Sequence, residues 1–295
     1  MNRPVILSCG EVLWDLFPEG ACFGGAPANF ACHAAILGGK VALLSAVGGD
    51  ARGGEALAIL RNLGVETSLI QRRADAPTGT VGVSVDGAGQ PAFEIHPDSA
   101  WDGIVWTPAL AGRVASADAI YFGTLGQRGA TSRATIRQAL GVAGARGIPR
   151  VLDVNLRQPF YHAALIRESI AEASILKLSD EELGEVAAAC GVAFAGDAEA
   201  TLRNLLVKEN LDLIAMTRGA DGALVVTRGE TIDQPGIPAQ VIDTVGAGDS
   251  FTAALTVGLL QGGPVRTIAR TACETASAVC AQPGAVPLPL ASAKS

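Results

Sequence analysis

The chain has 295 residues, enough for one large α/β domain or two smaller ones. It is 49% apolar, sparsely charged and carries a net charge of −7, with no basic stripe to attract nucleic-acid phosphates. No apolar run reaches the roughly 20 residues that a helix needs to cross a bilayer, so nucleic acid and membrane are both set aside as partners.

Residues 5–9 form a short apolar run ending at Gly10, the pattern of a buried strand. Residues 11–18 alternate less regularly and carry Asp15, which reads either as a ligand-facing acid or as a surface acid in a strand. Gly24-Gly25-Ala26-Pro27-Ala28-Asn29 opens a helix, with Pro27 in a first turn where its missing N–H costs nothing. Asn29 fits two roles, capping that helix or bonding a polyhydroxylated ligand. Residues 41–47 are a strand of the buried parallel kind, followed by a helix with Leu57, Leu60 and Leu63 on one face. This strand–helix alternation predicts a crossover-connected parallel sheet.

From Gly79 to Phe93 the period changes to two, with a turn at residues 86–89, which predicts an antiparallel hairpin. Paired with residues 11–17, the hairpin makes a flap, and Phe93 then either presses on a ligand or packs in the sheet. Residues 117–122 are another strand. The glycines after it, Gly123, Gly126 and Gly129, do not form G-x-G-x-x-G, which sets a nicotinamide site aside. The strand at 151–155 ends in Asp153, Asn155 and Arg157, the polar finish of a ligand-facing strand, with Arg157 suited to clamp a phosphate. Residues 173–178 are a strand. Ser179 and Glu182 then have capping-box spacing, although acids there would also hold a magnesium ion through waters. A hairpin follows around Thr217-Arg218-Gly219-Ala220-Asp221-Gly222, and two helices close the chain.

The penultimate helix starts inside Asp243-Thr244-Val245-Gly246-Ala247-Gly248-Asp249. Amides of a helix's first turn lack internal partners and favour negative charge, and Gly246 and Gly248 let an anion approach closely. An acid beside an anion hole serves poorly for binding phosphate alone. It serves well if Asp249 takes a proton from an attacking hydroxyl while the amides stabilise the transferred group. The plainer reading is a glycine-rich cap with Asp249 as a dipole partner. None of the six cysteines forms a C-x-x-C pair, which points to reduced core thiols. The first residues lack a signal peptide's pattern, so a cytoplasmic location is expected.

Taken together, these motifs resemble the ribokinase-like (PfkB) family of sugar and nucleoside kinases over nearly the whole length. Gly24, Gly25 and Asn29 look like its first signature, and residues 243–249 match its second. Asp153-x-Asn155-x-Arg157, the 177–182 segment and Thr217-x-Gly219-x-x-Gly222 fall in the family's order between them. The resemblance implies a single α/β domain over residues 1–295, with a doubly wound, mostly parallel sheet flanked by helices. A small β-sheet lid would come from about residues 11–17 and 79–96. It implies Asp249 as catalytic base, with Gly246, Ala247 and Gly248 as its anion hole. The sugar would meet Asp15, Gly25, Asn29, Phe93 and Arg157 under the lid. ATP would lie along Lys177, Ser179, Thr217, Gly219, Gly222 and Gly248, with Mg²⁺ held by Glu182 through water. A monovalent cation such as K⁺ would sit near Asp243, Val245 and Gly284. The chain departs from the family at Ser179, where an asparagine is usual.

The 24–29 segment and Ala100-Trp101-Asp102 are most like fructokinases. The expectation is therefore an ATP-dependent kinase acting on a primary hydroxyl of fructose, with a homodimer formed through the lid. The alternatives are a nucleoside or 2-keto-3-deoxygluconate kinase of the same family, or a sugar- or nucleotide-binding regulator without catalysis.

Overall fold

The computed structural model describes residues 3–18, 20–85, 91–194 and 196–287. In chain order these form β1 (Val5–Cys9), β2 (Leu13–Phe17), β3 (Gly20–Gly24), α1 (Ala26–Ile36), β4 (Lys40–Gly48), α2 (Ala51–Asn62), β5 (Ile70–Arg73), β6 (Gly79–Val85) and β7 (Pro91–Ile95). Then come α3 (Pro108–Ala115), β8 (Ala119–Gly123), α4 (Ala130–Gly144), β9 (Arg150–Asp153), α5 (Ala163–Glu172), β10 (Ile175–Ser179), α6 (Asp180–Ala189) and α7 (Ala198–Lys208). The chain closes with β11 (Leu213–Thr217), β12 (Ala223–Thr227), β13 (Thr231–Gln234), α8 (Ala247–Leu260) and α9 (Val265–Cys280).

The main sheet has nine strands in the order β13-β12-β11-β10-β9-β8-β1-β4-β5. The run from β5 to β11 is parallel, and β12 and β13 return antiparallel. Its inner strands read as unbroken apolar runs because both faces are covered. Alternate residues serve different layers. Ile6, Tyr121, Val151 and Leu213 pack with Phe30, Leu57 and Phe251 under α1, α2 and α8. Leu7, Phe122, Leu152 and Ile214 pack with Leu110, Ile136, Ile166, Leu183 and Leu202 of α3 to α7. The order of strand addition reverses at β1: the strands that follow it build outward to β4 and β5, then return to β8 on its other side. Such a switch point opens a crevice beyond the strand ends.

The second sheet has the order β3-β2-β6-β7. The β6–β7 hairpin is antiparallel, as the period-two pattern predicts, while β2 lies parallel to β6 and antiparallel to β3. The edge strand β3 is an addition, since its Gly-Ala-Cys-Phe-Gly composition carries little strand signal. The hairpin turn at 86–89 lies outside the described residues. Asp15 stands on β2 of this small sheet, and not beyond the end of a main-sheet strand, because the chain leaves β1 through Gly10–Val12 and pairs anew. Cys9, Cys32, Cys190 and Cys273 are buried free thiols. Among the described residues no helix is long and apolar enough to cross a membrane.

Candidate active site

The site is built around the start of α8. Gly246 caps this helix in the left-handed region (φ 79°), and a Cβ there would lie 2.5 Å from the Ala285 carbonyl, so only glycine fits. The loop before it is fastened by Asp243, whose carboxylate accepts from the Val245 N–H at 3.0 Å and the Gly284 N–H at 2.9 Å. Asp243, Val245 and Gly284 are thus brought together. His33 of α1 bonds the Ala285 carbonyl at 2.8 Å, a structural use for a histidine that belongs to no motif. The Gly248 and Asp249 amides belong to the first turn, where no intrahelical acceptor exists.

Asp249 is 9% exposed, on a helix whose apolar residues run right round its surface and are buried from Ser250 to Val257. Its carboxylate accepts from the Asn29 side-chain amide of α1 at 2.9 Å. Asn29 therefore does not cap α1; Gly25 holds that place. Burial pushes the Asp249 carboxyl above its ordinary range, while Asn29, Lys177 and Arg157 pull it down.

Lys177 of β10 reaches the same turn. A Cβ on Gly248 would lie 3.0 Å from its Nζ, so the missing side chain makes room for the cation. Nζ lies 3.2 Å from Asp153 Oδ1, and both side chains are buried. The Thr252 hydroxyl sits 3.1 Å from Asp153 Oδ2 and 2.9 Å from the Gly248 carbonyl. Burial raises Asp153 to about 6 despite Lys177. For Lys177, burial alone would lower the pKa, but Asp153, Glu182 and Asp249 outweigh it and the net direction is up.

On the other side, the backbone of residues 24 and 25 runs against the small sheet. A Cβ on Gly24 would lie 2.9 Å from Asp15 Oδ2, and one on Gly25 (φ 107°) would lie 2.7 Å from the Glu11 carbonyl. Asp15 is half-buried and pushed up to about 6 by burial, with Arg157 opposing and Asp243 adding to the shift. Arg157 is exposed, and its charge reaches Glu11, Asp15 and Asp249. Phe93 lies on β7 opposite Val83, but its side chain is outside the described residues.

Beyond Lys177, β10 and β11 end side by side, with Ser179 paired to Thr217. The capping box forms: Glu182 accepts from the Ser179 N–H at 2.8 Å, and its other oxygen accepts from the Leu156 N–H at 2.7 Å. Glu182 also faces Lys177 and Asp153. Gly219 (φ 53°) and Gly222 (φ 89°) bend the loop that continues this rim, and the Arg218 N–H closes it on the Gly222 carbonyl at 2.8 Å.

Three further residues enter the site. Glu11 follows β1 and is 2% exposed, with burial raising it to about 7. Tyr121 stacks on Phe30 at 3.9 Å, and its buried hydroxyl has no partner among the described residues. Thr252 joins Asp153 to α8. The only sequence signal for Glu11 is a carboxylate directly after a buried strand's terminal glycine; Tyr121 and Thr252 have none, being ordinary members of apolar runs. Gly126 and Gly129 serve packing: a Cβ on either would meet Gly10 at 2.9 Å or the Asp102 carbonyl at 2.5 Å.

The family model for the pfkB family carbohydrate kinase matches residues 21–291. The chain is 30% identical over 283 residues to a probable fructokinase-5 of Arabidopsis thaliana, covering 90% of this chain and 85% of that protein. It is 29% identical over 267 residues to an aminoimidazole riboside kinase of Salmonella typhimurium, covering 86% and 80%. The crystal structure of an uncharacterized sugar kinase of Pyrococcus horikoshii in complex with ATP superposes with a TM-score of 0.78 at 29% identity, covering 95% of this chain and 93% of that one. Fold, signature loop and these likenesses converge on one assignment: the chain belongs to the pfkB family of carbohydrate kinases.

Proposed function

We propose that the protein transfers the γ-phosphoryl group of ATP to a primary hydroxyl of a small sugar, with fructose as the acceptor. One observation carries the reading: a buried carboxylate, Asp249, held by Asn29 at a helix start whose free amides and neighbouring Lys177 favour an anion. Asp249 takes the proton of the attacking hydroxyl, and the Gly246 and Gly248 amides face the charge on the migrating group, while the Ala247 N–H, expected to join them, already donates to the Thr244 carbonyl at 3.3 Å. Asp15, Gly25, Asn29, Phe93 and Arg157 hold the sugar. Lys177, Ser179, Thr217, Gly219 and Gly222 hold the nucleotide. Closure of the small sheet over the sugar excludes water, so that ATP is not simply hydrolysed.

Glu182 fits magnesium through waters, since both its oxygens already accept main-chain N–H bonds and keep lone pairs for a water. When bound, the ion neutralises phosphate charge. The Asp243–Gly284 bond ties the signature loop to the tail, where main-chain carbonyls suit a monovalent cation such as K⁺. The exposed edge residues Gly20–Cys22 of β3 are where two copies would pair through their lids.

The probable fructokinase relative supports fructose, and the riboside kinase relative keeps a nucleoside reading in view. ADP release measured by a coupled assay across fructose, ribose, 2-keto-3-deoxygluconate and adenosine separates them. Fructose is expected to give the highest kcat/KM. Absence of ADP release with every acceptor on the panel, at saturating ATP and magnesium, would overturn the kinase reading in favour of a binding protein.

A further inference from the structure

We propose that Glu11 and Arg128 form a subsite that reads one hydroxyl group of the sugar, with Arg128 donating a hydrogen bond to its oxygen and Glu11 accepting a hydrogen bond from its O–H. The inference deepens the kinase reading and rests on it.

Arg128 is fixed from every side but one. Its side chain is 7% exposed. Nε and Nη2 each donate to Asp102 at 2.8 Å, and Nη2 also donates to the His96 carbonyl at 2.7 Å. The guanidinium lies over Trp101 at 4.0 Å and over Phe160 at 4.6 Å. Nη1 is buried and has no partner among the described residues. A guanidinium with one fork satisfied and one nitrogen left dry is costly unless something else meets it.

Glu11 carries the complementary deficit. It occupies the link from the main sheet to the small sheet, and its Oε2 is buried without a partner among the described residues. The turn that leads into Arg128 closes over it: a Cβ on Gly126 would lie 3.3 Å from Oε2. The guanidinium is near enough to draw the Glu11 carboxyl downward against the effect of burial. Yet the two make no salt bridge, because Arg128 is committed to Asp102.

The location belongs to the sugar side. The Glu11 carbonyl abuts Gly25, whose own carbonyl accepts from the Asn29 N–H at 2.8 Å, and Asn29 bonds Asp249. Phe160, whose ring lies against Arg128, donates its N–H to the Arg157 carbonyl at 2.8 Å. A donor and an acceptor, both unpaired, are met together by a group that accepts and donates at once. A hydroxyl does so, and an ammonium group or a fully ionised phosphate does not. Two sources share this chemistry, a sugar hydroxyl and a bound water, and the test separates them.

Affinity is measured by calorimetry without ATP, on wild type, Glu11→Gln and Arg128→Lys, with the best sugar of the panel and each of its monodeoxy analogues. One analogue is expected to bind wild type about 10–100-fold more weakly, the worth of a hydrogen bond to a charged group. That same analogue is expected to lose nothing further on Glu11→Gln, while the other analogues lose affinity as the parent does. If every analogue loses affinity equally on the variants, a water fills the place and the proposal is overturned. Should Arg128→Lys unfold, Glu11→Gln carries the test alone, since an amide replaces the carboxylate with the same shape. Wild type that binds no sugar would sink the kinase reading instead, so the two failures are distinguishable.

Discussion

The floor beneath α8 and the rim formed by β10 and β11 are built by opposite means. The floor is dry: Asp249, Asp153, Lys177 and Glu11 are all buried, and burial moves the three acids upward. The rim is open: Thr217 is half-buried, Gly219 is exposed, and Glu182 spends both oxygens on main-chain amides. Proton transfer needs fixed charge and excluded water, because only there do a few dipoles outweigh solvent. Holding a nucleotide needs shape and backbone donors, which glycine turns supply while remaining wet. Changes on the floor should therefore act on rate and folding, with Lys177 touching the nucleotide as well, and changes at the rim's turn and cap residues mainly on nucleotide affinity.

The sharpest break is Asp249→Asn. It is expected to lower kcat by about 10²–10⁴, with sugar and ATP still bound in calorimetry. Near-normal turnover would remove Asp249 from the role of base. Next is Lys177→Met, which strands the Asp153 carboxylate in the interior and should cost about 3–5 kcal/mol of stability at neutral pH. The sign of its pH dependence follows from Asp153. Its folded pKa is raised to about 6, so the folded state holds the proton more tightly than the unfolded state between about pH 4 and 6. Stability is then present at low pH and lost as pH rises through the folded value. The variant should regain stability on acidification, and thermal melts at pH 5 and pH 8 that differ no more than those of wild type would contradict this.

Asp15→Asn addresses the sugar side. It should raise the sugar KM about 10–100-fold, as expected for a lost charge-assisted hydrogen bond, with the KM for ATP unchanged in the same assay. An equal rise in both constants would place Asp15 outside the sugar subsite. The smallest effect is expected on the rim. Ser179→Asn restores the family's usual residue at a position where both cap helices equally well. Melting temperature should hold, and the KM for ATP should shift by about threefold or less, the scale of a single exposed hydrogen bond. A large loss of kcat would mean that the rim shares the floor's work.

Much of this architecture was legible in the residues themselves. The helix starts at Gly25 and Gly246, the capping box at Ser179 and Glu182, and the period-two hairpin are local devices, written within a few neighbouring residues. Edge strands were harder to see, because β3 and β13 are short, five and four residues, and in β3 only Phe23 is β-branched or aromatic. Asp15 could be read as an acid near a ligand, but its seat on the small sheet depends on how Gly10–Val12 turns the chain after β1.

The sequence by itself determined where the chain bends, which turns require glycine and which acid stands at a helix start, since each depends on backbone conformation over one turn. Only the tertiary structure decided the company these groups keep. Asn29 and Asp249 meet across 220 residues, and the Arg128 guanidinium comes near enough to Glu11 to act on its carboxyl. Burial, and with it proton affinity, is a property of everything packed around a group, and no local spacing carries it.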